Sequence, residues 1–566
     1  MTAVLTRPRH AAVEKAAFEK IEGGGQHRLR RPRRARALTA LAALLVFVAL
    51  VLPRELGQLT PLALVRIPVE GLIGLSVLIL LPSRPRRMLA ALGGLLLGVL
   101  TILRLLDMGF QETLVRPFDP VLDWVLLSNA YDFVDSAVGP AGAVGAAVAA
   151  VLVVVALLVL TTRAVLRLTR VAVRHRMPTA RAIAVLSVLW LVCFAVGAQI
   201  VAPVPVASRS AAALLYQKAA AVPATLRDEQ SFAGLSAVDA FRDTPPDQLL
   251  AGLAGKDVML AFVESYGRSA VQDPRYAPQV DAALADGTTK LEAAGFSARS
   301  GWLTSPVAGG GSWLAHATFG SGLWIDNQQR DRSLTSSDRL TLTSAFEQAK
   351  WKTVAVMPGT TAAWPESKFY GIDKVYDAHN LGYKGLNFSW SPMPDQYALK
   401  EFTKREYSTP KRGPLMAEVV LTSSHVPWTP VPKLKDWKDV GDGTEYDAAV
   451  KATDGPDVVW QDPERVRNGY RDSIVYSVST LVSWVEKYGN DNLVLVFLGD
   501  HQPAPIITGS GAGRDVPITI VAHDPKVLDR IASWGWTDGL KPAPQAPVWK
   551  MDAFRDKFFT AFGRSS

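Results

Sequence analysis

Four short stretches of this 566-residue chain carry side chains able to do chemistry. The apolar run 493–498 ends abruptly in Gly499-Asp500-His501-Gln502-Pro503. A carboxylate beside an imidazole, just past a buried strand, is a hard-to-borderline metal-ligand pair. In α/β proteins, chemistry gathers at the carboxyl ends of strands, where the loop frees side chains from the sheet. The plain alternative is a Gly-Asp turn with an incidental histidine. A second run, 258–263, delivers Glu264-Ser265, where the charged residue either ends a strand or ligates. Third, Gly309-Gly310-Gly311-Ser312 precedes a helical pattern containing His316. Glycines let backbone approach an anion, and helix N-terminal amides favour negative charge. Ser312 can serve there as N-cap, phosphate cradle or nucleophile, and His316, one turn on, can line the same pocket. Fourth, the run 415–421 leads through Ser424 to His425-Val426-Pro427, a surface histidine or a site residue.

Taken together, Glu264, Ser312, Asp500 and His501 form an oxygen-rich set with one nitrogen. Such a set suits Mn²⁺, Zn²⁺ or Mg²⁺, and the side chains leave their order open; one divalent ion, Mn²⁺ first, is the expectation. An ion there would favour the serine alkoxide at neutral pH and stabilise charge developing on a phosphoryl group.

These residues need a scaffold. Strand-like runs at 258–263, 353–357, 415–421, 493–498 and 518–522 alternate with helical patterns, notably 337–350 and 467–488. That alternation predicts an α/β sandwich around a largely parallel sheet over residues 251–566. The Lys-, Asp-, Gly- and Pro-rich stretch of the 430s to 460s reads as an exposed excursion.

The first 204 residues are of another kind. Five segments, 37–53, 62–82, 88–106, 137–160 and 182–203, are apolar enough, or nearly so, to cross a bilayer, which takes roughly 20 helical residues. A long polar arm precedes the first, so a cleaved signal peptide is not expected. The net charge of +9 comes from 61 basic against 52 acidic residues. Much of the basic excess lies beside the apolar spans and no nucleic-acid signature accompanies it, so no nucleic-acid partner is expected. Arg28, Arg30, Arg31, Arg33, Arg34 and Arg36, then Arg84, Arg86 and Arg87, then the arginines of 163–181 fall on one side, the cytoplasm, if all five spans are real. Residues 1–36 then form a cytoplasmic basic arm, 37–204 a five-helix transmembrane domain, 205–250 a linker with some helix, and 251–566 an extracellular domain. Arg66 and Glu70, one turn apart in the second span, can pair. Charges at that depth are costly and mark either internal pairing or a lipid-headgroup or gating role. The only cysteine, Cys193, falls in the fifth span and reads as a small apolar filler, so the external domain has no disulfides.

This order of motifs resembles the alkaline phosphatase/sulfatase superfamily, and more narrowly the lipoteichoic acid synthase branch of phosphoglycerol transferases, with phosphoethanolamine transferases as relatives. The resemblance covers nearly the whole chain. In that family a Glu after the first strand, a Thr nucleophile behind glycines and a late Gly-Asp-His supply the metal site. Phe262-Val263-Glu264-Ser265, Gly311-Ser312 and Gly499-Asp500-His501 match these in order, with Ser312 keeping the hydroxyl of the family's Thr. His425-Val426-Pro427 matches a His-x-Pro that meets substrate. Where the synthases carry His-Gly, a Trp and a nearby Arg for glycerol phosphate, this chain has Pro358-Gly359, Trp364 and then Glu366. An acidic residue there repels a phosphate and suits an amine or sugar hydroxyls. The sulfatase maturation motif C/S-x-P-x-R is absent at Ser312-Trp313-Leu314-Ala315-His316, and the external disulfides common in phosphoethanolamine transferases are absent too.

The resemblance implies a sulfatase-like extracellular domain that moves a phospho-group from a membrane phospholipid donor to a cell-envelope glycan or glycolipid acceptor. Ser312 would be the nucleophile, Glu264, Ser312, Asp500 and His501 the metal site, and His425 the group that orients or protonates. Trp364, His316 and Glu366 would meet substrate. The alternatives are a phosphodiesterase, phosphatase or sulfatase-like hydrolase, and a non-catalytic membrane scaffold.

Overall fold

Alternation along the strands decides the architecture of the second half of the chain. The computed structural model describes residues 34–53, 56–201, 204–388, 390–509 and 511–564. Among them, nine strands form one sheet: β1 (Asp257–Val263), β2 (Ser297–Thr304), β3 (Lys352–Met357), β4 (Lys374–Asp377), β5 (Leu415–Leu421), β6 (Leu493–Gly499), β7 (Asp515–Ala522), β8 (Thr537–Asp538) and β9 (Val548–Lys550). Their order is β8-β2-β7-β6-β1-β5-β3-β4, with β9 also paired to β2. The block β6-β1-β5-β3-β4 is parallel throughout. The expected largely parallel sheet thus holds at its centre, whereas β7 runs antiparallel to both β6 and β2.

Side chains of a strand point alternately to its two faces, so a sheet covered on both sides needs apolar residues at every position. Strand β1 obeys this. Val258, Leu260 and Phe262 join Met416, Val494 and Val496 in one core, while Met259, Ala261 and Val263 join Ala417, Val419 and Leu495 in the other. Each fully buried aliphatic or aromatic side chain contributes about 2 kcal/mol relative to exposure. Among the helices that bear on the sheet and its site are α1 (Ala277–Ala293), α2 (Ser312–Ser321), α3 (Gln328–Thr335), α4 (Leu342–Gln348) and α5 (Pro463–Tyr488). Helices α1 and α5 bury Val280, Leu284, Ile474 and Trp484 in the second core; α2 and α4 bury Leu314, Phe319, Leu342 and Phe346 in the first.

The expected helix over 337–350 starts later, because Thr341 and Ser344 form a capping box that begins α4 at Leu342. The expected helix over 467–488 starts earlier. Asp462 accepts a hydrogen bond from the Glu464 amide and Pro463 stands in the first turn, a favoured opening.

The chain divides into two compact units, one of the described residues up to Met108 with Val144–Ala220, the other of Gly109–Ala143 with the residues from Ala221 onward. Among the described residues, four helices are long and apolar enough to cross a membrane: Arg34–Val51, Ser83–Leu114, Gly139–Arg174 and Arg176–Ala195. The span expected at 62–82 is not one continuous helix. A short turn at Pro61–Leu64 and a bridge at Ile67–Pro68 precede Val69–Leu80, which has only 12 residues. That helix is about 18 Å long against a hydrocarbon core of about 30 Å. Pro61, Pro68 and Pro82 bracket the segment and remove the amides a longer helix would need. In this unit Arg66 donates to the Val51 carbonyl, and Glu70 accepts from the Ala212 amide at 2.9 Å. Arg28, Arg30, Arg31 and Arg33 of the basic arm lie outside the described residues. Within the stretch expected as linker, Ser210–Ala237 is helical.

Candidate active site

Parallel pairing of β6 with β1 aligns Gly499 with Val263, so the next residue of each strand, Asp500 and Glu264, emerge side by side at the carboxyl end of the sheet. Both carboxylates are buried, at 0% and 4% exposure. Gly499 is required there, since a Cβ would stand 1.8 Å from the Tyr266 carbonyl oxygen. Backbone groups of the site are anchored from outside it. Ser424 Oγ donates to the Glu264 carbonyl and Ser305 Oγ to the Asp500 carbonyl, both at 2.6 Å. Tyr470 donates its hydroxyl to the Ser265 carbonyl at 3.0 Å.

His501, 1% exposed, turns Nδ1 toward the Gln502 carbonyl at 2.9 Å. A carbonyl only accepts, so Nδ1 carries the proton and Nε2 is left for the site. That Nε2 lies 3.3 Å from Glu264 Oε1 and 3.9 Å from Asp500 Oδ2. Asp500 Oδ1 accepts from the Ser265 and His501 amides at 2.8 and 2.7 Å. Its Oδ2 is buried with no hydrogen-bond partner. One ligand atom each from Glu264, Asp500 and His501 lies within 4.8 Å of the others.

Crowding shows in their protonation. Burial, then the charge of Glu264, pushes Asp500 up to about 8. Burial alone would raise Glu264, but the His501 charge carries it well below the ordinary value. Burial alone would lower His501, and the two carboxylates raise it to about 9. An orphaned buried carboxylate oxygen within a carboxylate–carboxylate–imidazole set is what a divalent cation satisfies, displacing protons as it binds. The residues present therefore fit the expected ion, and nothing in them selects manganese over zinc or magnesium.

Ser312 begins α2. Gly311 precedes it at φ 85°, in the left-handed region that lets the chain turn into the helix. Ser312 Oγ donates to Glu264 Oε2 at 2.9 Å and lies 3.2 Å from His501 Nε2. A hydroxyl on the first turn of a helix meets the positive end of the helix dipole, which favours its anion.

In front of Ser312 opens a cavity of about 500 Å³. His425, Trp364, His316 and Glu366 line it with Ser312 and Glu264, whereas Asp500 and His501 are buried and do not line it. His425 stacks on Trp390, ring centroids 3.6 Å apart, and donates Nδ1–H to the Val426 carbonyl. Burial keeps its pKa below the ordinary value, so the ring is neutral with Nε2 free to accept. His316 stacks on Phe262 at 3.9 Å, and burial pushes it down to about 4. Trp364 stands 5.7 Å from the ring of Tyr370.

Four lining residues were not legible in the sequence: Trp390, Tyr370, Asp331 and Glu418. Glu418 carried the one signal, a charge in the middle of the otherwise apolar strand Leu415–Leu421.

Fold and site together define an α/β domain with a divalent-metal type of cluster against a serine hydroxyl. Structure comparison finds lipoteichoic acid synthase LtaP from Listeria monocytogenes (13% identity, 60% of this chain and 78% of that one, TM-score 0.38). It also finds the zinc complex of the C-terminal periplasmic domain of EcEptC from Escherichia coli (15%, 55% and 83%, 0.36). A third is the phosphoglycerol transferase GacH of Streptococcus pyogenes with sn-glycerol-1-phosphate (12%, 59% and 92%, 0.35). The synthase and the phosphoglycerol transferase are proteins of the kind whose motifs the sequence resembles. No protein-family model matches the chain, and no curated protein matches it significantly. All three likenesses lie below 25% identity and a TM-score of 0.5.

Proposed function

We propose that the chain is a membrane-anchored, metal-dependent transferase that moves a phospho-group from a lipid donor to a cell-envelope glycan or lipid acceptor. In this reading residues 1–36 are cytoplasmic, the four long apolar helices cross the membrane, the segment 62–82 makes the fifth crossing as the short helix Val69–Leu80 with the non-helical residues before it, 205–250 link, and 251–566 work outside. One observation carries the reading: Ser312 Oγ touches Glu264 and His501 of a buried cluster that has an unsatisfied carboxylate oxygen.

Glu264, Asp500 and His501, with Ser312 Oγ beside them, would hold a divalent cation, which lowers the pKa of a hydroxyl and offsets charge on phosphoryl oxygens. Ser312 gives its proton to solvent and attacks a lipid phosphodiester in line. The Oγ–P bond forms, the bond from phosphorus to the lipid oxygen breaks, and the departing alkoxide takes a proton from solvent as diacylglycerol leaves. The acceptor hydroxyl then attacks phosphorus as its proton passes to His425 Nε2, the new oxygen–phosphorus bond forms while the Oγ–P bond breaks, and the proton on His425 is handed on to restore the Ser312 hydroxyl. Trp364, His316 and Glu366 line the space where the transferred group rests.

The test is release of diacylglycerol from labelled phosphatidylglycerol or phosphatidylethanolamine by the purified full chain with Mn²⁺ or Zn²⁺. Ser312→Ala should lower release on the order of 10³-fold or more. An equally active Ala variant sinks the nucleophile, and no cleavage of either lipid sinks the donor class.

A further inference from the structure

Strand register shows how far the cavity reaches behind Ser312. Leu260 aligns with Glu418, and Phe262 with Val420, on the face that bears Glu264 and Thr422 at its outer end. All six line the cavity. Glu418 is four residues back from Thr422, which on a strand is about 13 Å. Over this floor lies α2, whose Ser312, His316 and Gly320 also line the cavity. Eight residues of helix span about 12 Å. The helix runs back along the strands, because His316 stacks on Phe262 and its Nδ1 lies 3.9 Å from Glu418 Oε1. The cavity is therefore a slot between α2 and the sheet, with the nucleophile at its mouth.

Its inner part is acidic. Glu418 and Asp331 line it, Glu366 stands on the same wall, and no lysine or arginine does so among the described residues. Tyr370 lines the same cavity, and burial, then the charges of Asp331, Glu418 and Glu366, raise its hydroxyl well above the ordinary value. Glu418 is 8% exposed, and the imidazole 3.9 Å from it, His316, is neutral. His316 Nε2 is buried without a hydrogen-bond partner. Trp364 and Tyr370 also line the cavity, and aromatic rings attract cations. A buried carboxyl with no cation of its own, beside two more and several aromatic rings, is an arrangement completed by a positively charged group.

We propose that the slot binds an amine-bearing, cationic group of the substrate, held by Glu418 with Asp331 and Glu366 behind the phosphorus that Ser312 attacks. The proposal rests on Ser312 being the nucleophile, and it excludes a second anionic group at that depth.

The experiment uses the full chain carrying Ser312→Ala, so that no probe is consumed, at one fixed Zn²⁺ concentration. It is titrated with O-phosphorylethanolamine, ethyl phosphate and glycerol 3-phosphate. The amine probe should bind at least about tenfold tighter than the other two. Adding Glu418→Gln should bring the ratio within about twofold. Adding Asp331→Asn instead should also lower it, which covers the case in which the Glu418 variant does not fold. Equal binding of the three probes, or an amine preference that survives both substitutions, overturns the proposal. Lipid cleavage by the wild type separates the two readings. Cleavage without amine preference removes the slot and leaves Ser312 as nucleophile. Amine preference without cleavage removes the lipid-transfer reading and leaves the slot.

Discussion

Strand β1 begins and ends in a carboxylate, and the two ends are treated in opposite ways. At the amino end Asp257 accepts two hydrogen bonds from Arg412, at 2.6 and 2.7 Å, and one from the Leu415 amide at 3.0 Å. Both of its oxygens are answered, by a cation and a backbone donor. Just past the carboxyl end, Glu264 is packed against a second carboxylate, Asp500, one of whose oxygens nothing answers. The first arrangement ties β1 to the chain entering β5. The second stores repulsion at the place where the strands release their side chains. A closed carboxylate stabilises the fold, and an open one is kept for a ligand.

The largest expected effect tests the open end. Asp500→Asn keeps the shape and the acceptor that Oδ1 offers, but removes the charge. Metal occupancy should be lost and lipid cleavage should fall on the order of 10³-fold. Unfolding of the metal-free variant at neutral pH should come at a temperature no lower than that of metal-free wild type, because wild type must hold Asp500 protonated in the fold and Asn has no such proton to hold. A clear loss of stability would mean that Asp500 is a structural carboxylate like Asp257, and the contrast would collapse.

Next in size is a carboxyl that is buried yet closed by nothing, Glu418, which burial pushes up to about 7. Its ordinary value is 4.5, so between pH 4.5 and 7 the native state holds a proton that the unfolded chain has released. The sign follows: stability from the neutral carboxyl is full below 4.5, declines as pH rises, and is lost above about 7. The cost is on the order of 3 kcal/mol. Glu418→Gln cannot titrate, so its stability should fall less steeply across this range and exceed that of wild type at pH 7.5. Unfolding curves of the two proteins at pH 5 and 7.5 check this. Parallel pH dependence would show that Glu418 is ionised in the fold and already paired.

The closed end comes third. Asp257→Asn should cost about 2 kcal/mol, since the Arg412 side chain, partly exposed, loses its partner without being stranded. Metal content should not change, and activity of the folded protein should stay within about twofold. A metal loss here would mean that the two ends of the strand are coupled.

The same contrast explains what could be read from sequence. Glu264, Asp500 and His501 were legible because each follows an uninterrupted apolar run, and a strand's end is where a charged residue is both visible and usable. Ser312 was legible from the glycines before it. Glu418 sits inside a strand, where its neighbours make it look like an exception, and only pairing with Leu260 and Ala355 puts it on the cavity floor. Asp331 and Tyr370 reach the slot from separate elements that no local pattern connects. The central parallel strands followed from their separation by helices. The reversed direction of β7 did not, because direction depends on the path of the preceding loop. In the first unit, hydropathy indicated the segment 62–82, but its prolines cut the helix to Val69–Leu80.

The smallest effect concerns how the helix that carries Asp331 into the slot is held. Helix α3 brings Asp331 and Thr335 to the cavity, and it has only eight residues, too few to be stable by propensity alone. Its start is fixed by Asn327, whose side-chain oxygen accepts from the Gln329 and Arg330 amides, both at 3.0 Å. Asn327→Ala should cost about 1 kcal/mol and fray that first turn. Asp331 lies in the turn directly affected, so the loss should appear in substrate binding before it appears in chemistry. A rise in KM with kcat unchanged is the expected pattern, as for an interaction equal in ground and transition states. Equal falls in kcat and kcat/KM would instead tie α3 to the reacting atoms, and the division between an open catalytic mouth and a binding slot behind it would have to be redrawn.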